Sequence, residues 1–134
     1  MATQAQHRTA YAPAAFAGGA LRTFFNIARD WHLEVPQAMK LLGLTSRSTY
    51  FKWRKAPDTA RLTPDTLERL SYIFGIYKAL QVLLPRPESA DAWIHRPNQG
   101  APFNGQPALE RMLGGQVADL YVVRQYLDAQ RGGP

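Results

Sequence analysis

Residues 35–55 read VPQAMKLLGLTSRSTYFKWRK and predict two short helices joined by a sharp turn. In the first of these, apolar residues recur at helical spacing and mark a buried face at Val35, Ala38, Met39 and Leu42. Gly43 then suits the left-handed conformation that ends a helix. Ser46 can cap the next helix, which we expect to run to about Lys55 because Pro57 follows.

A further helix precedes this stretch. Its buried face is predicted from the i, i+3, i+4, i+7 spacing of Leu21, Phe24, Phe25, Ala28 and Trp31 or His32. Three helices with a glycine turn between the second and third match a helix-turn-helix, in which the third helix enters the DNA major groove. We therefore expect a flexible segment over residues 1–20 and a DNA-binding domain over residues 21–62.

The third helix has one core face and one basic face. Tyr50 and Trp53 lie three residues apart and would anchor it, whereas Ser48, Lys52 and Lys55 project from the opposite side. Its N-terminal half supplies the candidates for contacts near the bases, which are Arg47, Ser48, Thr49 and Lys52. Lys55 and Arg61 are predicted to contact phosphates. The alternative is a solvated basic helix in a fold that no longer binds DNA.

The net charge of +6 is distributed unevenly along the chain. Residues 1–62 contain nine Lys or Arg and three acids, whereas residues 63–134 contain seven of each sign. An excess of positive charge confined to one half indicates a polyanionic partner for that half. A basic surface that only aids solubility would produce the same count.

The second half is also predicted to be helical, so the fold class is all-α. Thr63, Pro64 and Asp65 have the residue types of a helix start, and the apolar helix that follows extends to about Leu84. Because apolar residues surround this helix almost completely, we expect it to be buried on several sides or to form a dimer interface. Residues 88–94 predict a short helix, residues 96–107 a loop rich in Pro, Asn and Gly, and residues 108–113 and 117–130 two final helices.

The sequence offers no set of residues suited to catalysis. It has no cysteine, three scattered histidines (His7, His32 and His95), and no phosphate-binding glycine motif. We therefore expect no enzyme activity, metal or cofactor; a small enzyme acting on nucleotides is the rival hypothesis, but no candidate base supports it. The absence of a secretory signal, a long apolar run and cysteine predicts a cytoplasmic protein without a membrane partner.

Three segments of the second half carry a resemblance to a known family. They are AWIHRPN at residues 92–98, FNGQPAL at residues 103–109, and MLGG at residues 112–115. In this order they resemble the toxin-binding domain of the MbcA/ParS/Xre antitoxin family. The resemblance extends to GIYKAL at residues 75–80 and VRQYL at residues 123–127, and residues 48–53 are similar to the third helix of an Xre-type helix-turn-helix. It covers about residues 35–131.

The resemblance implies a helical toxin-binding domain over residues 63–134, which also dimerises, and a partner toxin of the RES-domain type, an enzyme that destroys NAD. In such pairs the C-terminal part of the antitoxin blocks the NAD pocket. Carried onto this chain, the residues that shape the toxin-binding loop are Trp93, Pro97, Asn98 and Phe103. Those nearest the toxin are Tyr126, Arg131, Gly132, Gly133 and Pro134. A purely intramolecular role for Trp93 and Phe103, with a simple turn at Pro97 and Asn98, stays open.

Together these features predict a type II antitoxin that blocks its toxin, binds operator DNA and represses its own operon. We expect a homodimer, because one short helix contacts too few base pairs for specificity and two half-sites restore it. The alternative is a stand-alone helix-turn-helix regulator without a toxin, in which the second half serves only for dimerisation or sensing.

Overall fold

The computed structural model describes residues 12–132, and within them the fold is all-α, as expected. The seven α-helices of this range are α1 (Ala14–Asp30), α2 (Val35–Leu42), α3 (Arg47–Lys55), α4 (Pro64–Leu83), α5 (Pro87–Ala92), α6 (Ala108–Met112) and α7 (Val117–Gln130). Two short 3-10 helices, Pro57–Thr59 and Trp93–His95, follow α3 and α5. The one β-type pairing in the described range is a bridge between Pro97 and Pro107 across the loop.

The first helix is longer than the sequence predicted. It begins at Ala14 rather than Leu21, so the expectation of a flexible segment over residues 1–20 is wrong from Ala14 onward, and residues 1–11 lie outside the described range. Gly18 is buried inside this helix, and a Cβ atom there would collide with the carboxylate of Asp58. The glycine therefore costs helix propensity but admits the 3-10 turn that packs against α1.

The turn between α2 and α3 has the predicted geometry. Gly43 adopts the left-handed conformation with φ of 74°, and its N–H donates to the carbonyl of Lys40 at 3.0 Å. The N–H of Leu44 donates to the carbonyl of Met39 at 2.9 Å, which turns the chain back over α2. Ser46 Oγ accepts from the N–H of Thr49 at 3.2 Å, so α3 begins where the sequence indicated.

Helix α4 is the centre of the molecule. Thr63 Oγ1 caps it by accepting from the N–H of Thr66, and α4 contacts α1, α2, α5 and α7. The prediction of burial on several sides is confirmed. The most buried positions are Leu70, Ile73, Ile76, Ala79 and Leu80. Leu67, Phe74 and Tyr77, three further apolar residues of this helix, are only partly buried.

Polar contacts join the two halves of the chain beside a continuous hydrophobic core. Tyr77 Oη donates to Asp30 Oδ2 at 2.8 Å, and His95 Nε2 lies 2.7 Å from the carbonyl oxygen of Trp31. Burial, followed by the hydrogen bond to Asp30, raises the pKa of Tyr77 to about 12. Because these contacts cross from α4 and the second 3-10 helix to α1, they help hold the two halves together.

Candidate functional site

The outward face of α3 presents the basic side chains that the sequence singled out. Tyr50 and Trp53 are buried at 1% and 7% exposure, which orients the helix as predicted. The exposed residues on or beside the opposite face are Arg47, Ser48, Lys52 and Lys55. Thr49 is partly buried at the flank, and Arg61 is exposed beyond the 3-10 turn. The first four therefore share one surface, and Thr49 and Arg61 lie at its margins.

Among the described residues, the cations of α3 have no acidic partner. In the first half, Asp58 pairs with Arg22 at 3.2 Å and Asp30 pairs with Arg29 at 3.4 Å. Within residues 12–132, no carboxylate forms an ion pair with the cations of α3, which are Arg47, Lys52, Arg54 and Lys55. Their charge is available to an outside polyanion, as phosphate contacts require.

One exposed aromatic residue of α3 was not among the predicted site residues. Phe51 is 44% exposed, and its ring lies 5.2 Å from the ring of Tyr50 and 5.4 Å from the guanidinium carbon of Arg47. The signal was present in the sequence, because Phe51 follows Ser48 by three residues and precedes Lys55 by four, which places it on the same helix face. It was overlooked because an aromatic residue next to Tyr50 is easily assigned to the core.

The second half brings three of the predicted toxin-site residues together. Trp93 and Tyr126 stack with ring centroids 6.1 Å apart, and Phe103 meets them edge-on at 6.0 and 5.0 Å. Phe103 is buried at 4% exposure, whereas Trp93 and Tyr126 are partly exposed. We call these three residues the aromatic cluster. The cluster anchors the loop over residues 96–107 to α7. The partly exposed rings of Trp93 and Tyr126 remain accessible at its surface.

The loop over residues 96–107 is closed by its own hydrogen bonds. Asn98 forms two backbone hydrogen bonds with the far end of the loop, donating to the carbonyl of Gln106 at 3.2 Å and accepting from the N–H of Gly105 at 2.7 Å. Its side-chain oxygen also accepts from the N–H of Gly100 at 3.0 Å. Asn98 therefore shapes the loop, beside the bridge between Pro97 and Pro107.

The chain leaves the aromatic cluster through the end of α7. A cleft lies here, lined by Trp93 and Tyr126 together with Leu80 and Leu83 of α4 and the adjoining Leu84. Leu127 is buried, whereas Arg131 and Gly132, whose N–H groups bond back to the end of the helix, are exposed. Gly133 and Pro134, the last predicted toxin-contact residues, lie outside the described range. The helix thus presents an exposed tail from a fixed base.

Two family models match consecutive parts of the chain. An antitoxin Xre-like helix-turn-helix domain matches residues 13–75, and an antitoxin Xre/MbcA/ParS C-terminal toxin-binding domain matches residues 79–133. The chain is also 55% identical over 113 residues to the uncharacterized protein y4oB of Sinorhizobium fredii, an alignment that covers 84% of each chain. The chain belongs to the Xre/MbcA/ParS antitoxin family. No solved structure matches this antitoxin.

The matched ranges place α1 to α3 of the antitoxin, with most of α4, in its helix-turn-helix domain, and the aromatic cluster in its toxin-binding domain. They meet inside α4, so this helix belongs to both domains. The family consists of antitoxins rather than enzymes, which confirms the expectation of no catalysis. Across residues 12–132 no group of acidic or histidine side chains could hold a metal ion. None of the helices there is long and apolar enough to cross a bilayer.

Proposed function

We propose that this antitoxin neutralises a RES-domain toxin that degrades NAD, and that it binds operator DNA as a homodimer to repress its own operon. Both activities take place in the cytoplasm, where operator DNA and NAD are found together. The observation that carries the proposal is the separation of two surfaces. Cations that, among the described residues, form no ion pair with a carboxylate cover one face of α3, and the aromatic cluster lies in the second half of the sequence.

The DNA-binding part of the proposal rests on the orientation of α3. Because Tyr50 and Trp53 hold one side of the helix in the core, Ser48 and Lys52 face away from the protein, and Arg47 is exposed at the flank of the same surface. Arginine and lysine suit guanine O6 and N7, and the hydroxyl suits several base edges. Lys55 and Arg61 reach phosphates at the periphery, and Thr49 lies at the flank, where its hydroxyl reaches the adjoining base or sugar.

The homodimer follows from the size of this surface. Helix α3 has nine residues, and only its exposed side is available to the major groove. One helix of this length contacts a few base pairs, whereas two copies on adjacent half-sites read enough sequence to select an operator. Sedimentation of the protein with and without operator DNA measures the stoichiometry directly, and one copy per operator would contradict the dimer.

The toxin-binding part of the proposal rests on the end of α7. Val123 and Leu127 bury this helix against the core, and Arg131 and Gly132 extend from it in exposure. A short tail that starts from a fixed helix loses little entropy when it enters a pocket. Arg131 supplies a forked donor for an acidic group at the pocket rim.

The aromatic cluster supports the tail and offers an edge to the toxin. Trp93 and Tyr126 keep part of their rings accessible, and Phe103 with Pro97 and Asn98 holds the loop beside them. Partly exposed Trp and Tyr side chains on a rigid base are typical anchors of protein interfaces. We therefore assign Trp93 and Tyr126 to direct contact, and Pro97, Asn98 and Phe103 to shaping the loop.

The test is co-expression with the open reading frame beside the antitoxin gene, with growth and cellular NAD as the readouts. The full chain should restore both, whereas a chain that ends at Gln130 should not, because it keeps all of α7 but lacks the tail. The variant Arg47→Ala/Lys52→Ala is the matched control, which should restore growth and NAD while failing to repress the operon. An adjacent product that is not toxic, or that depletes no NAD, would contradict the RES assignment.

A further inference from the structure

Phe51 is an apolar residue within an otherwise polar and cationic surface. Seen down α3 at 100° per residue, Ser48 and Lys55 point directly away from Tyr50 and Trp53. Phe51 lies about 50° to one side of that direction, and Lys52 about 50° to the other. Its 44% exposure agrees with this position. Any duplex that lies against Ser48 and Lys52 must therefore also cover the ring of Phe51.

The ring is held in place by neighbours on both sides. It meets Tyr50, a buried residue, edge-on at an interplanar angle of 84°. The guanidinium of Arg47 lies over the ring, 5.4 Å from its centroid. A cation above an aromatic face is attracted to it, so each side chain limits the motion of the other. Arg47 and Phe51 are thus arranged as a pair before any partner arrives.

The groups that base pairs present in the major groove indicate which bases Arg47 and Phe51 fit. The apolar group that base pairs present there is the C5 methyl of thymine, and a phenyl ring is a suitable contact for it. Guanine presents O6 and N7, which match the two donors of an arginine fork. The surrounding cations favour a polyanion over a second apolar protein surface.

We propose that Phe51 is a specificity-determining residue that contacts the C5 methyl of a thymine adjacent to the guanine bound by Arg47. The inference rests on the proposed DNA binding and extends it, because it identifies a methyl contact in addition to the polar contacts of Arg47 and Lys52. The operator half-site should then contain neighbouring guanine and thymine bases.

The experiment compares two forms of one DNA fragment. The region upstream of the antitoxin gene is amplified with either thymidine or deoxyuridine triphosphate, so that the second form pairs identically but lacks every C5 methyl group. Binding of the full chain is measured by fluorescence anisotropy. The unaltered protein should bind the thymine form about four-fold more tightly per half-site, which is the effect of burying one methyl group. On two half-sites the ratio should be about fifteen-fold.

Substitutions show whether Phe51 is responsible for this ratio. Phe51→Ala should bind the thymine form more weakly and bring the ratio close to one, whereas Phe51→Leu should keep part of it. Lys55→Ala is the matched control, which should weaken binding to both forms equally because it removes a phosphate contact. Circular dichroism of each variant verifies that it has folded.

The outcomes separate this inference from the function on which it rests. Binding of both forms with equal affinity by the unaltered protein would overturn the methyl contact and leave DNA binding intact. A ratio that persists in Phe51→Ala would assign the effect to the shape of the DNA and would also overturn it. If the unaltered protein binds neither form above a fragment of unrelated sequence, both the operator proposal and the thymine contact fail.

Discussion

The two halves of this antitoxin use their positive charges differently. In the second half, three arginines form contacts within the fold: Arg69 pairs with Asp65 at 2.9 Å, Arg111 with Asp119 at 2.8 Å, and Arg124 with Asp128 at 3.4 Å. In the first half, the cations of α3 face outward and, among the described residues, no carboxylate pairs with them. Net charge alone therefore does not indicate which cations are available to a partner, because it does not show which of them are paired within the fold.

This difference predicts different effects for substitutions of the paired arginines and of the α3 cations. A cation that pairs inside the fold contributes to stability, because its removal leaves a carboxylate or a carbonyl without its donor. A cation without an internal partner contributes to binding, and its removal leaves stability nearly unchanged. The predictions that follow test this division, from the largest effect to the smallest.

Arg47→Ala/Lys52→Ala should cause the largest change, in DNA binding. We expect affinity for the upstream fragment to fall at least about 30-fold and the salt dependence of binding to weaken by one to two ions, on the order expected for contacts of this kind. The free energy of unfolding should change by less than about 1 kcal/mol, because only the exposed contact of Arg47 with the Phe51 ring is lost and no ion pair is broken. Anisotropy titrations at several salt concentrations and urea unfolding measure the two effects.

Lys78→Ala/Arg86→Ala is the matched control for that variant. Both residues are exposed cations of the second half, so the substitution removes the same charge from a different surface. It should change DNA affinity only slightly. An equal loss in the two variants would show that overall charge, rather than the face of α3, drives binding.

Arg69→Ala should have the largest effect on stability. The Arg69 side chain is only 11% exposed, and besides Asp65 it donates to the carbonyl of Gly115 at 3.1 Å. It also lies against Gly43 at the turn between α2 and α3. We expect a loss of about 2 kcal/mol in urea unfolding, since hydrogen bonds from a charged donor are removed.

Asp65→Asn is the control for Arg69→Ala. The Asp65 side chain is 55% exposed, so its half of the ion pair should contribute less than about 1 kcal/mol. An equal cost for the two variants would show that the contact with Gly115 contributes nothing.

Tyr77→Phe tests the contact between α4 and α1, where the two halves meet. Because the pKa of Tyr77 is raised to about 12, the stability from its protonated phenol is fully present below about pH 10 and is lost as the pH rises towards 12. The unaltered protein should be more stable than Tyr77→Phe by about 1 kcal/mol at pH 8. Urea unfolding between pH 8 and 11.5 should show this difference shrinking, and a constant difference would contradict the assignment.

Asp91→Asn should have the smallest effect. Burial, followed by the charge of Asp30, raises the pKa of Asp91, so its charged form destabilises the folded protein at neutral pH. Asn should increase the free energy of unfolding at pH 7 by less than about 1 kcal/mol, because its side-chain oxygen can still accept from Gln81 Nε2. The gain should vanish as the pH falls below the ordinary pKa of a carboxyl group. A loss of stability at pH 7 would contradict the prediction.

Much of the fold was predictable because local chemistry determines it. The bounds of α2 and α7, the left-handed Gly43 and the caps at Ser46 and Thr63 follow from residue types at fixed offsets. The start of α1 was not predictable in this way. Two adjacent glycines usually indicate a break, but Ala17, Gly18 and Ala20 are buried, so tertiary packing supports the helix there.

The candidate site was predictable to a smaller extent. Helical spacing placed Ser48, Lys52 and Lys55 on one face, and it places Phe51 there as well, although Phe51 was not among the predicted site residues. The meeting of Trp93, Phe103 and Tyr126 could not be derived from their positions in the chain, since a loop and a helix far apart in sequence had to be brought together.

Most of the helices, the basic excess of the first half and the family of the chain were predictable from residue types at short range or in a fixed order. Which cations form ion pairs or hydrogen bonds within the fold depends on tertiary packing. Arg69, for example, reaches the carbonyl of Gly115 because α4 lies at the centre of the molecule. An ion pair or a ring contact forms only when the two groups lie within a few ångströms, and the packing of the whole core sets that distance.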